Sequence, residues 1–198
     1  MKKTTGEREM KSSVIRPAGG VGSSGRRTFI KRSLGAGSAL AFPYLIPASA
    51  LGIDGAVAPS ARIVCGVIGT GGRGRHDLRW MLGEPDVQFV AVCDVRKSSR
   101  DQAKAEVDGR YGNTDCAAYR DFRELLARKE IDAVVIATGD RWHTPASILA
   151  MQAGKDIYCE KPGALTIAEG QALVAAGKSS ARIFQTGAQR LSEKNFVF

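Results

Sequence analysis

The run Gly69-Thr70-Gly71-Gly72-Arg73-Gly74, with Asp94 twenty residues beyond it, is the set of residues in this chain whose types and spacing best suit chemistry. Its form is G-x-G-x-x-G, and the chemistry it suits is the holding of a phosphate anion by backbone. Gly69 permits a tight turn, Gly71 lets the backbone approach a pyrophosphate with no Cβ in the way, and Gly74 lets a following helix pack close to a sheet. The start of that helix offers unpaired N–H groups and a partial positive charge to the phosphates. A carboxylate at Asp94 can accept both hydroxyls of an adenosine ribose. Glycine turns are common in a chain with 23 glycines. The weight therefore comes from strand, turn, helix and acid occurring in register. All six residues from Gly69 to Gly74, with Asp94, are expected to bind a dinucleotide.

Two further polar runs follow apolar stretches. Thr138-Gly139-Asp140-Arg141-Trp142-His143 follows Ile131 to Ala137, and Glu160-Lys161-Pro162 follows Asp156 to Cys159. Polar residues at the carboxyl end of a strand lie where open α/β sheets bind ligands. The cysteines, Cys65, Cys93, Cys116 and Cys159, form no C-x-x-C and have no His-rich companion cluster, so no metal site is expected. A free thiol in a strand behaves as a small buried apolar group.

The elements that must position these residues can be read around them. Ile63 to Ile68 is a strand-forming run emptying into the glycines, and Glu84-Pro85 ends the helix that follows. Val87 to Cys93 reads as a second strand. Lys97 to Tyr111 reads as a helix with Ala103 and Val107 on one face and Gly112-Asn113 as its stop. After a short extended Ala117-Ala118-Tyr119, Asp121 and Glu124 form a capping-box pattern for a helix burying Phe122, Leu125 and Leu126. Ile131 to Ala137 is apolar enough to be covered on both faces, as in a parallel sheet. Thr144-Pro145 is expected to open the next helix, closed by Gly154. Asp156 to Cys159 is a strand, Thr166 and Glu169 a second capping box, and Arg182 to Gln185 a last strand. Strands alternating with helices imply an α/β fold, a doubly wound parallel sheet of the Rossmann type.

The formal charge of +9 over 198 residues suggests a nucleic-acid partner until it is located. Residues 1–50 hold nine Lys and Arg against Glu7 and Glu9, so +7 sits in the leader and only +2 in the rest. A near-balanced surface gives no footprint for DNA or RNA. Arg26-Arg27-Thr28-Phe29-Ile30-Lys31, a mildly apolar Leu34 to Ile46, and Pro47-Ala48-Ser49-Ala50 resemble a bacterial twin-arginine signal with cleavage after Ala50. The apolar run is too short for a stable membrane span. The expected organisation is a signal peptide at 1–50, a linker at 51–61, a nucleotide-binding domain at 62–190 and a tail at 191–198. The implied location is periplasmic or otherwise extracytoplasmic.

Together the glycine run, Ala137 to His143, and Glu160-Lys161-Pro162 resemble the Gfo/Idh/MocA family of nicotinamide-dependent oxidoreductases, over roughly Arg62 to Arg190. The resemblance implies that Lys161 lies near the nicotinamide and hydrogen-bonds the reacting hydroxyl, that Pro162 is cis, and that Glu160 and Lys161 contact cofactor. It implies Thr138 and Asp140 beside the nicotinamide ribose. His143 is either a donor to cofactor or substrate or a residue capping a helix start. Asp94 favours NAD by repelling a 2′-phosphate, whereas Arg96 and Lys97 would accommodate NADP.

Members of that family carry a second α/β domain that supplies most of a sugar pocket, and the eight residues after Arg190 cannot form one. The chain is therefore expected to lack that domain, to expose the apolar face that would dock it, and to be of doubtful activity alone. Three functions follow: oxidation or reduction of a sugar, polyol or related carbohydrate; a non-catalytic nucleotide-binding module; or an NAD-dependent glycoside hydrolase of related fold. The expected partner is a small carbohydrate, and a homo-oligomer is left open.

Overall fold

The computed structural model describes residues 57–192; the expected signal peptide, the start of the linker and the end of the tail lie outside them. Six strands alternate with five helices. They are β1 (Ile63–Ile68), α1 (Gly72–Met81), β2 (Val87–Cys93), α2 (Lys97–Tyr111), β3 (Ala117–Tyr119), α3 (Phe122–Leu126), β4 (Ala133–Ile136), α4 (His143–Gln152), β5 (Asp156–Cys159), α5 (Ile167–Ser180) and β6 (Phe184–Thr186). Every pairing is parallel, and the strand order is β3-β2-β1-β4-β5-β6. The chain runs outward through β2 and β3, then returns to the far side of β1 for β4. That reversal opens a crevice beyond the carboxyl ends of β1 and β4, where doubly wound sheets bind ligands.

The strands alternate between two cores because successive side chains point to opposite faces. Val67, Val92 and Val135 pack with Leu78 of α1 and with Ala103 and Val107 of α2. Ile68, Cys93, Val134 and Ile136 pack on the other face with Leu125, Ala146, Met151 and Ile157. Both faces are covered, which is why the central strands read as continuous apolar runs.

Hydrogen bonds between neighbouring strand ends hold their tips level. Gly69 N–H donates to Cys93 O (2.8 Å), Asp94 N–H to Tyr119 O (3.2 Å), Ala137 N–H to Ile68 O (2.9 Å), and Glu160 N–H to Ile136 O (2.9 Å). The three polar runs singled out in the sequence therefore share one edge of the sheet.

Two boundaries, one cap and one buried position differ from expectation. Helix α4 begins at His143 because a 3-10 turn, Asp140–Trp142, feeds directly into it. Pro145 then lies in the first turn, where no intrahelical N–H is needed. Asp121 caps α3 by accepting Arg123 N–H (2.9 Å), but its carboxylate also takes the Arg123 guanidinium, and Glu124 faces the crevice instead of returning a bond. Phe122 is only partly buried, unlike Leu125 and Leu126. Strand β6 starts at Phe184: Ala181 ends α5 in a left-handed conformation (φ 52°), and Ile183 N–H is taken by the Asp156 carboxylate. The Thr166–Glu169 capping box is complete, and the Lys161–Pro162 peptide is cis.

Candidate functional site

Gly69 leaves β1 at φ +85°, and a Cβ there would meet the Ala137 backbone at 2.7 Å. A Cβ on Gly74 would lie 1.9 Å from Gly69 O, so only glycine lets α1 start this close to the turn. Gly71 and Gly72 are different. A Cβ on Gly72 would meet nothing within 4 Å, and one on Gly71 only the Arg96 guanidinium at 3.5 Å. The turn is thus jammed where it packs and open where it faces outward, which is the shape of a cradle for a phosphate group.

Asp94 faces this turn from the end of β2. One carboxylate oxygen accepts Thr70 N–H (2.8 Å) and the Thr70 hydroxyl (3.3 Å); the other accepts Arg96 N–H (2.8 Å). Thr70 is fully buried, so it positions Asp94 and does not line the crevice. Each carboxylate oxygen keeps lone-pair capacity for a further donor. The crevice has a volume of about 830 Å³, within the range of about 300–1,000 Å³ usual for small-molecule sites. Gly69, Gly71, Gly72, Arg73, Asp94 and Thr138 line it. So do Arg96 and Arg120, together with Arg123, whose guanidinium pairs with the neighbouring Asp121, and Glu124.

Asp140, His143, Glu160 and Lys161 do not line this cavity. Asp140 opens the exposed 3-10 turn. Lys161 is exposed at the tip of β5, and its N–H donates to the Glu160 carboxylate (3.2 Å). His143 is 1% exposed, with Nδ1 2.7 Å from Pro162 O and Nε2 3.2 Å from Thr138 O. Thr144 Oγ1 donates to Gly163 O (2.9 Å). The two ring nitrogens of His143 face backbone carbonyl oxygens, to one of which a neutral ring donates, so the start of α4 sits between the Thr138 loop and the Lys161-Pro162 loop.

Glu160 is buried and accepts Arg73 through Nε (3.0 Å) and a terminal nitrogen (2.9 Å), as well as the Gln189 amide. Arg73 also pairs with Asp77 one turn along α1 (2.9 Å). This arginine ties the glycine turn to the Glu160-Lys161 loop across the sheet. Asp77 is 2% exposed, with Oδ2 unpartnered. Burial, opposed by Arg73, pushes its carboxyl up from 3.8 to about 6. Asp77 was not legible in the sequence, because its burial depends on packing across the sheet and its helix reads as ordinary. Phe122 and Trp142, which also line the crevice, were legible only as a core residue and a neighbour of His143.

The four cysteines are free and buried. Burial pushes the thiols of Cys65 and Cys93 up to about 12 and those of Cys116 and Cys159 to about 11. None has the activated character of a nucleophile. Among the described residues no group of three or more His, Cys, Asp or Glu is placed to hold a metal ion, and no helix is long and apolar enough to cross a membrane.

Comparison with known proteins agrees with this geometry. The chain is 32% identical over 174 residues to a glycosyl hydrolase family 109 protein of Saccharopolyspora erythraea, covering 79% of this chain and 37% of that protein. It is 31% identical over 134 residues to an inositol 2-dehydrogenase of Salmonella typhimurium, covering 67% and 38%. The solved myo-inositol 2-dehydrogenase of Lactobacillus plantarum superposes with a TM-score of 0.61 at 27% identity, over 67% of this chain and 38% of that one. The chain thus spans less than two fifths of the length of these relatives. The family profile of oxidoreductases with an NAD-binding Rossmann fold matches residues 63–188, and the chain belongs to that family, Gfo/Idh/MocA.

Proposed function

We propose that the chain supplies the cofactor-binding half of an NAD-dependent oxidoreductase acting on a sugar, polyol or related carbohydrate. One observation carries this reading: a glycine turn open only toward the crevice stands beside a carboxylate that its own backbone holds in place. NAD, when bound, supplies a carbon that accepts or returns a hydride. Gly71, Gly72 and the free N–H groups opening α1 would hold the phosphates, with charge from Arg96. Asp94 would orient the adenosine ribose. Lys161 Nζ would stabilise negative charge on the substrate oxygen as its proton leaves, and His143 would fix the loop that carries it. The inositol dehydrogenases among the relatives support a polyol substrate.

A second reading has its own support. The similarity to the family 109 glycosyl hydrolase covers more of this chain than the similarity to the inositol dehydrogenase. An NAD-dependent glycosidase would cleave a glycoside with no net change in nicotinamide. We also propose export by the twin-arginine route, on the strength of Arg26-Arg27 and Ala48-Ser49-Ala50; replacing both arginines with lysine should leave the protein in the cytoplasm.

Calorimetric titration tests the binding step. NAD should bind at least about tenfold tighter than NADP, because Asp94 repels a 2′-phosphate. Absence of any NAD binding would reject the proposal. Inositols and N-acetylgalactosaminides then separate the two chemistries: reduced nicotinamide accumulates in the first and not in the second. A chain that binds NAD but turns over neither is a binding module.

A further inference from the structure

Two buried carboxylates share a single cation beside the glycine turn. Asp77, midway along α1, is 2% exposed, and Glu160, just past β5, is 3% exposed. One terminal nitrogen of Arg73, Nη2, reaches Asp77 Oδ1 and Glu160 Oε1, each at 2.9 Å, while Nε donates to the same Glu160 oxygen at 3.0 Å. The Gln189 amide also donates to Glu160 Oε1, and to the Tyr158 hydroxyl at 2.9 Å. That side of the cluster has no slack: a Cβ on Gly187 would lie 2.9 Å from Glu160 Oε1 and 3.0 Å from the Tyr158 hydroxyl. The second oxygen of Glu160 accepts the backbone N–H of Lys161 (3.2 Å), and the second oxygen of Asp77 is buried with no partner.

Two carboxylates and one guanidinium leave one negative charge in excess, and an uncompensated charge held out of water is costly. A proton on Asp77 removes it. Burial accordingly pushes that carboxyl up to about 6, against the opposing pull of Arg73. The other titratable groups near Asp77 are His76 on its own helix and Tyr158 on β5; towards α2, Glu106 is already paired with Arg75 and Arg79. With Asp77 protonated, the charge of Arg73 is left to Glu160 alone. With Asp77 ionised, the guanidinium is divided between the two carboxylates. Glu160 therefore feels the state of Asp77 through Arg73, and the Lys161 backbone hangs from Glu160.

We propose that Arg73 and Asp77 are positioning residues for Lys161: the shared guanidinium sets how the Glu160 carboxylate is held, and gain or loss of the Asp77 proton is passed along it to the Lys161 backbone. The bearing of this coupling on hydride transfer rests on the reading of Lys161 given above. Neither residue touches the reacting atoms. Their effect is on where Lys161 stands, and it makes that placement depend on pH between about 5 and 7.

The test is a pH titration of isotope-labelled full-length protein without cofactor, followed at the Lys161 amide. In the wild type that resonance should move in a single step with its midpoint near 6. Asp77→Asn, which keeps the shape and removes the proton site, should abolish the step. Arg73→Gln should abolish it as well, since the two carboxylates then lose their link. Asp77→Asn decides the matter, because removing a buried charge leaves it at least as stable as the wild type at neutral pH. A Lys161 amide that stays still in the wild type overturns the inference. So does a step that survives in Asp77→Asn, which would belong to His76 or to His143, whose ring faces Pro162 O. Either result leaves the nucleotide reading untouched. Calorimetric titration with NAD tests that reading separately: no binding by the wild type, with the Lys161 step intact, would reject it and leave the coupling standing.

Discussion

Asp77 shows how one buried charge sets a pH dependence. Its carboxyl is held near 6 in the folded chain against an ordinary 3.8, first by burial, with Arg73 pulling the other way. A raised acid keeps its proton longer in the folded state than in the unfolded one, so stability is greatest with Asp77 protonated and falls as pH rises from about 4 through about 6. Asp77→Asn should therefore stabilise the chain by about 1–2 kcal/mol at neutral pH and flatten the stability profile across that window. Denaturant melts at pH values on either side of the window check this. Equal stability of variant and wild type at neutral pH would mean that Arg73 fully compensates the buried charge.

The glycine turn and the helix behind it behave as one element, and its glycines separate packing from binding. Gly74→Ala puts a methyl group against Gly69 O, a backbone atom that cannot rotate away, and should cost at least about 2 kcal/mol. Gly71→Ala has room apart from the mobile Arg96 side chain. It should change stability by no more than about 0.5 kcal/mol while weakening NAD binding roughly tenfold. Thermal melts paired with NAD titrations distinguish the two. Helix α2 could be read end to end because Ala103 and Val107 recur at helical spacing and Gly112 stops it; both side chains are fully buried. The turn and Asp94 were legible for the same reason, as local patterns. The Arg73–Glu160 link spans 87 residues and leaves no periodicity. Likewise Phe122, three residues before Leu125, reads as part of the same apolar face, yet at the first turn of α3 it lines the crevice while packing on the edge of the core.

At the scale of the molecule, apolar surface among the described residues is unevenly covered. Helix α5 has no fully buried residue, and Ile167 (84% exposed), Val174 (57%), Leu165 and Ile183 lie open at the β6 side of the sheet. Patches of this kind bind dyes and other chains. Ile167→Lys with Val174→Lys should lower binding of a hydrophobic dye and light scattering at high concentration without lowering the melting temperature. A fall in melting temperature would mean that these side chains support the fold. In the proposed complex the dinucleotide lies across the carboxyl ends of β1 and β4. Its most direct test is the set of amide resonances that move when NAD is added to labelled protein. Large shifts are expected at Gly71, Gly72, Arg73 and Asp94, with those around Lys155, at the opposite end of the sheet beside Asp132 and Arg182, unmoved. Shifts confined to the Lys155 end, with the glycine turn silent, would contradict it.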